Sequence, residues 1–174
     1  MIPSGTDSAV SSEHESWEIM SKKNFEITIV DHVPIHLSDG CMLSARIWKP
    51  ETKDAFPAIL EIHPYPKRYA TAERDEFNHG WFARHGYVSM RVDTRGIGDS
   101  EGHIYDEYRE QELVDLEEVI RWIVAQEWCD GQVGMFGHSW GAYVSLLATA
   151  RNIDSLKAVA VSGASDDLYA EDCH

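Results

Sequence analysis

Gln132-Val133-Gly134-Met135-Phe136-Gly137-His138-Ser139-Trp140-Gly141-Ala142-Tyr143-Val144-Ser145-Leu146-Leu147-Ala148-Thr149-Ala150 is the stretch whose reading decides the fold. Gln132 to Phe136 reads as a short apolar strand, and Ala142 to Ala150 reads as a helix. Between them stands Gly-x-Ser-x-Gly, the sequence form of a tight strand-to-helix turn that carries a nucleophilic serine. Glycines are needed on either side because side chains there would collide where strand and helix cross. The turn lifts the Ser139 hydroxyl above the sheet, and the first amides of the helix point at the same spot. A plain Gly/Ser turn of any α/β protein has the same letters; the strand before it and the helix after it favour the nucleophile.

The rest of the chain sets bounds on that reading. Its 174 residues allow one domain with a sizeable core. An apolar share of 43% and an aromatic share of 10% are those of a folded protein. The 30 acidic and 15 basic side chains leave a formal charge of −15. Nucleic acid and anionic membrane would repel such a surface, so neither is expected as a partner. Cys41, Cys129 and Cys173 are widely spaced, with no metal-ligand or disulfide-framework pattern. Met1 to Asn24 is polar, without the apolar run of a signal peptide, and is expected to form a mobile arm with the catalytic portion at 25–174. A cytoplasmic location is the default expectation.

From Phe25 the pattern becomes regular. Phe25 to Val30 alternates as a half-buried strand, Val33 to Leu37 stays extended, and Ser38-Asp39-Gly40 turns it back on Cys41 to Trp48. Pro57 to Ile62 is nearly continuous apolar sequence, the look of a strand covered on both faces. Asp75 to His85 reads as a helix closed by Gly86, and Tyr87 to Val92 as a further strand. Tyr105 to Gln126 is the longest helical pattern, with Leu113, Leu116, Ile120 and Ile123 on one face and its acids on a solvated one. Leu156 to Val161 is one more strand. An antiparallel hairpin followed by alternating strands and helices predicts an α/β fold: a mostly parallel sheet with helices on both faces.

A serine nucleophile requires a base and a pocket for the oxyanion of the tetrahedral intermediate. One donor follows from the turn, the backbone N–H of Trp140. The second must come from the loop after Pro57–Ile62, which is His63-Pro64-Tyr65-Pro66. Two prolines leave it few backbone donors, and the phenolic O–H of Tyr65 is able to substitute. Tyr65 reads equally well as a half-buried loop aromatic.

Pro64-Tyr65 with Lys67-Arg68, then Asp93-Thr94-Arg95-Gly96-Ile97-Gly98-Asp99-Ser100-Glu101-Gly102, then Gly137 to Gly141 resembles the X-Pro dipeptidyl-peptidase / cocaine-esterase (CocE/NonD) group of the α/β-hydrolase fold. The resemblance runs from about Phe25 to the end of the chain. It implies a serine hydrolase acting on a small ester or peptide through an acyl-enzyme. Ser139 is the implied nucleophile, with the Tyr65 hydroxyl and the Trp140 amide as oxyanion donors; many members carry Tyr where Trp140 stands. Asp93 and Arg95 read as braces of a structural loop. No cofactor is implied: there is no dinucleotide fingerprint, and His63, His79, His85, His103 and His138 read as scattered loop or surface histidines without metal spacing. His138, inside the turn, is too close to Ser139 in sequence to serve as its base.

In this fold the acid and the histidine follow the serine. Only 35 residues follow Ser139, and Asp166, Asp167, Asp172 and His174 are the nominal candidates among them. The expectation is therefore an incomplete α/β-hydrolase domain whose acid, base, cap and C-terminal β-sandwich lie beyond residue 174, poorly active alone. A homo-oligomer is left open for the full-length protein. The alternative is a catalytically incomplete fragment or a binding module.

Overall fold

The computed structural model describes residues 24–69, 71–167 and 169–170. The arm expected over 1–24 therefore lies, apart from Asn24, outside the described residues, as do Asp172 and His174. Among the described residues, six strands and three helices follow in the order β1 (Ile27–His36), β2 (Met42–Pro50), β3 (Phe56–His63), α1 (Ala72–Arg84), β4 (Val88–Asp93), α2 (Glu110–Val124), β5 (Cys129–His138), α3 (Trp140–Thr149) and β6 (Leu156–Ser162).

The strands form one sheet in the order β1-β2-β4-β3-β5-β6. β1 and β2 are antiparallel, and β2 meets β4 antiparallel. β4, β3, β5 and β6 are parallel to one another, as βαβ crossovers require. The strand expected from Phe25 and its extended continuation over Val33–Leu37 form the single strand β1. A register shift between Val30 and Val33 inserts an extra residue and lets pairing with β2 continue.

Strand alternation assigns the two faces. Leu60 and Ile62 of β3, Met90 and Val92 of β4, and Val133 and Met135 of β5 join one apolar core with Leu116, Val119, Ile120 and Ile123 of α2 and Val144 and Ala148 of α3. The other face of the same strands carries Glu61, Ser89 and Arg91, which meet Arg74, Asp75 and His79 of α1. Helices thus cover both faces, as expected, but the α1 side of the centre is polar.

Helix α2 begins at Glu110, not Tyr105. Tyr108 sits at φ +52, outside right-handed helical space, so the helix cannot run through it. Its acids are not all solvated either: Asp115 is buried, and Glu112 is half-buried. The histidine expectation also fails at two positions, because His63 and His79 are buried within the polar layer under α1.

That layer makes stability depend on pH. Burial pushes both His63 and His79 below the ordinary histidine value, against the pull of Glu61 on each. The unfolded chain therefore binds more protons between the folded values and about pH 6.5. The contribution of these residues is full above about pH 6.5 and is lost as pH falls towards their folded values. Glu112, raised by burial, acts in the opposite sense. The urea midpoint is accordingly expected to drop between pH 7.5 and 5.5, and His79→Gln is expected to flatten the slope. An unchanged slope in that variant refutes the assignment.

Candidate active site

Ser139 occupies the turn between β5 and α3 with φ +54 and ψ −122, a conformation that costs a non-glycine residue on the order of 1–3 kcal/mol. Its carbonyl accepts the N–H groups of Ala142 (2.9 Å) and Tyr143 (3.2 Å), and its own N–H donates to Ser162 O (3.1 Å). The strained residue is thus held from both sides by backbone. A Cβ on Gly137 would overlap the Gly141 carbonyl group and lie 2.8 Å from Ala142 N. A Cβ on Gly141 would come within 3.3 Å of the His63 ring. The two glycines let α3 cross directly over β5 and bring the elbow against the end of β3.

Trp140 is the first residue of α3, so the helix itself offers its N–H no partner. Its indole N–H donates to Glu112 Oε1 at 2.9 Å, and its ring lies 5.2 Å from that of Tyr108. Burial raises the Glu112 carboxyl, while the Trp140 indole and the Tyr108 N–H pull the other way. The Tyr108 phenol is pushed up to about 12, chiefly by burial, with Glu107, Tyr143 and Tyr65 adding to it. Tyr65 itself is 38% exposed, with its ring 4.9 Å from that of His63.

The loop from Pro64 to Arg68 is fastened after Tyr65 by Lys67. Its N–H reaches Asp93 Oδ1 at 2.7 Å, and its Nζ reaches Asp93 Oδ2, Ser44 Oγ and Asp99 Oδ2, each at 2.8 Å. Lys67 and Asp93 are both buried. Asp93 and Arg95 are braces, as expected, although not with each other. Arg95 grips Asp115 through two bonds of 2.8 Å and Asp39 through a third. Those carboxylates, Asp115 first, raise its pKa.

A cavity of about 280 Å³ opens beside the loop that follows β4, between Leu43, Ile62, Thr94, Ile104, Tyr105 and Glu112; Tyr65, Ser139 and Trp140 do not line it. The buried Thr94 hydroxyl on its wall has no hydrogen-bond partner among the described residues.

The structure brings the Trp140 elbow and the His63–Pro66 loop together at the carboxyl ends of β3 and β5. The other predicted positions lie elsewhere. Asp166 and Asp167 are exposed, and Asp167 accepts the Ala170 N–H. His138 is exposed, with Nδ1 at 3.0 Å from Ser162 Oγ. Sequence reasoning missed the Glu61–Arg74–Asp75–His79–Arg91 layer and the Glu112–Trp140 bond. A signal was present: a Glu and an Arg in two otherwise apolar strands must be paired if those strands are buried.

Strand order, the strained serine between strand and helix and the glycines that admit it define an α/β-hydrolase fold. The family profile of X-Pro dipeptidyl-peptidase (S15 family) matches residues 39–174, and the chain belongs to that family. Cocaine esterase of Rhodococcus sp. (strain MB1 Bresler) is 35% identical over 148 residues, which are 82% of this chain and 25% of that protein. Among solved structures, a CocE/NonD family hydrolase from Staphylococcus aureus aligns with a TM-score of 0.68 at 24% identity, covering 78% of this chain and 27% of that one. An aminopeptidase from the marine sediment archaeon Thaumarchaeota archaeon aligns at 0.63 and 25% identity, covering 78% and 25%. The chain thus spans about a quarter of the length of these relatives. Among the described residues, no helix is long and apolar enough to cross a membrane.

Proposed function

We propose that this chain carries the nucleophile and the oxyanion donors of a serine hydrolase acting on small ester or peptide substrates. The observation that carries the reading is the strained backbone of Ser139 at the β5–α3 turn, flanked by Gly137 and Gly141. Strain at a strand-to-helix turn, held by backbone bonds on both sides of the residue, is a feature of functional turns. Ser139 Oγ attacks the acyl carbonyl, and the new oxyanion receives the Trp140 N–H and the Tyr65 O–H. The leaving group departs with a proton, and water then releases the acyl group from Ser139. Kinship with a cocaine esterase and fold likeness to an aminopeptidase support ester and amide acyl transfer alike.

A second reading, binding without turnover, draws on one observation. Among the described residues, no histidine or carboxylate is hydrogen-bonded to Ser139 Oγ. Intact-mass measurement after mixing the protein, expressed from its own full reading frame, with p-nitrophenyl acetate separates the two. An acetyl adduct that peptide mapping assigns to Ser139 is the expected result. No adduct, or one on another residue, overturns the hydrolase reading.

A further inference from the structure

The loop that carries Tyr65 is poor in backbone hydrogen bonds, because Pro64 and Pro66 have no N–H to give. Something else must hold its path, and what lies beneath it is a buried guanidinium. Arg91, on β4, is 0% exposed. Its Nη2 donates to the Tyr65 carbonyl oxygen and, at 2.7 Å, to His63 Nδ1. Its Nη1 donates to Val92 O at 2.5 Å, and its Nε lies 3.4 Å from Asp75 Oδ2 and 3.9 Å from Glu61 Oε2.

An arginine only donates, so these contacts assign the histidine tautomer. His63 Nδ1, 2.7 Å from Arg91 Nη2, is the acceptor, shared with the Tyr65 N–H at 3.2 Å, and its proton sits on Nε2, facing Glu61 Oε1 at 3.5 Å. Arg74 Nη2, 3.4 Å from Nε2, directs its donors to Glu61 and Asp75 at 2.7–2.9 Å instead. The two ends of the Tyr65 peptide unit are therefore tied to one nitrogen of one side chain, directly through C=O and through the His63 ring at N–H.

A buried ion network of this kind is a weak device for stability, since apolar side chains of the same volume often serve as well or better. What Arg91 supplies that an apolar residue cannot is a pair of aimed donors. We propose that Arg91 is a positioning residue: by fixing the Tyr65 backbone and the His63 ring, it directs the Tyr65 hydroxyl to the oxyanion of the Ser139 adduct. Glu61, which accepts two bonds from Arg74 at 2.8 and 2.9 Å, and Asp75 serve as its counter-charges. The inference rests on the proposed role of Tyr65.

The test is a double-mutant cycle on the rate of Ser139 acylation and on kcat, in the protein expressed from its own full reading frame. Tyr65→Phe is expected to lower kcat by about 10²-fold, the loss typical of one oxyanion donor. Arg91→Lys retains charge but not the paired donors, and is expected to lower kcat roughly 10-fold to 100-fold with KM little changed. In the Tyr65→Phe background, Arg91→Lys is expected to have no further effect, because the hydroxyl it directs is gone. Equal losses in both backgrounds, or no loss in either, overturn the positioning role. If Arg91→Lys does not fold, the pair Glu61→Gln with Arg91→Gln removes both charges together, leaves no orphaned ion, and is read in the same cycle. A Tyr65→Phe variant with parental kcat overturns the Tyr65 role itself, and a parent that is never acylated overturns the hydrolase reading; this proposal falls with either.

Discussion

Ser139→Ala is expected to lower turnover of an activated ester by about 10⁴-fold or more, with the fold intact. The substitution deletes the atom proposed to form the acyl bond and leaves the backbone contacts to Ala142, Tyr143 and Ser162 in place. Alanine meets the same conformational cost at φ +54 as serine does, so the melting temperature should move little. Ser139→Gly is the informative companion. It loses the same activity, but glycine relaxes the strained backbone and is expected to raise the melting temperature above that of Ser139→Ala. Both measurements come from one preparation, by steady-state kinetics and calorimetry. Activity retained in either variant removes Ser139 from the mechanism.

Gly137→Ala is expected to be among the most damaging substitutions of a small residue in this chain. The new methyl group would press on the Gly141 carbonyl and on Ala142 N, which are backbone at the start of α3 and cannot swing aside. Overpacking against rigid neighbours costs about 1–3 kcal/mol or more, a large part of a net stability of about 5–15 kcal/mol. The expected outcome is a urea midpoint far below that of the parent, with much of the protein recovered as aggregate. Gly141→Ala offers a graded comparison, since its methyl meets the His63 ring at 3.3 Å and a side chain can yield. A Gly137→Ala midpoint equal to that of Gly141→Ala contradicts the close crossing of α3 over β5.

Most of the architecture is legible along the chain. The apolar runs at Pro57–Ile62 and Tyr87–Val92 mark strands that bury on both faces, Leu156–Val161 marks the more exposed edge strand β6, and the Leu113–Ile123 stripe marks the helix that covers one face of the sheet. Errors fall where a local signal meets a distant one. Tyr105 to Arg109 has helical spacing, yet Tyr108 takes a positive φ and packs its ring at a tilt against those of Trp140 and Tyr143. Asp115 looks like an acid of a solvated face, yet Arg95, twenty residues earlier, draws it inside. His63 and His79 look scattered because the charges that bury them lie on three different elements.

The sequence by itself determined the elbow, since the need for glycine at 137 and 141 and for a strand and a helix around Ser139 is written within the stretch from Gln132 to Ala150. It also determined the chain order of the remaining motifs, and through them the family. Only the tertiary structure decided what surrounds Tyr65. Its loop has two prolines and no ladder of its own, so its conformation is set by Arg91 from β4 on one side and by Lys67 on Asp93 on the other. Those pairings are made by strands 25 to 30 residues apart in the chain, brought side by side by the parallel register of β3 with β4. Hydrophobic periodicity records which residues leave water. It does not record which buried charge meets which, and that pairing holds the loop of Tyr65.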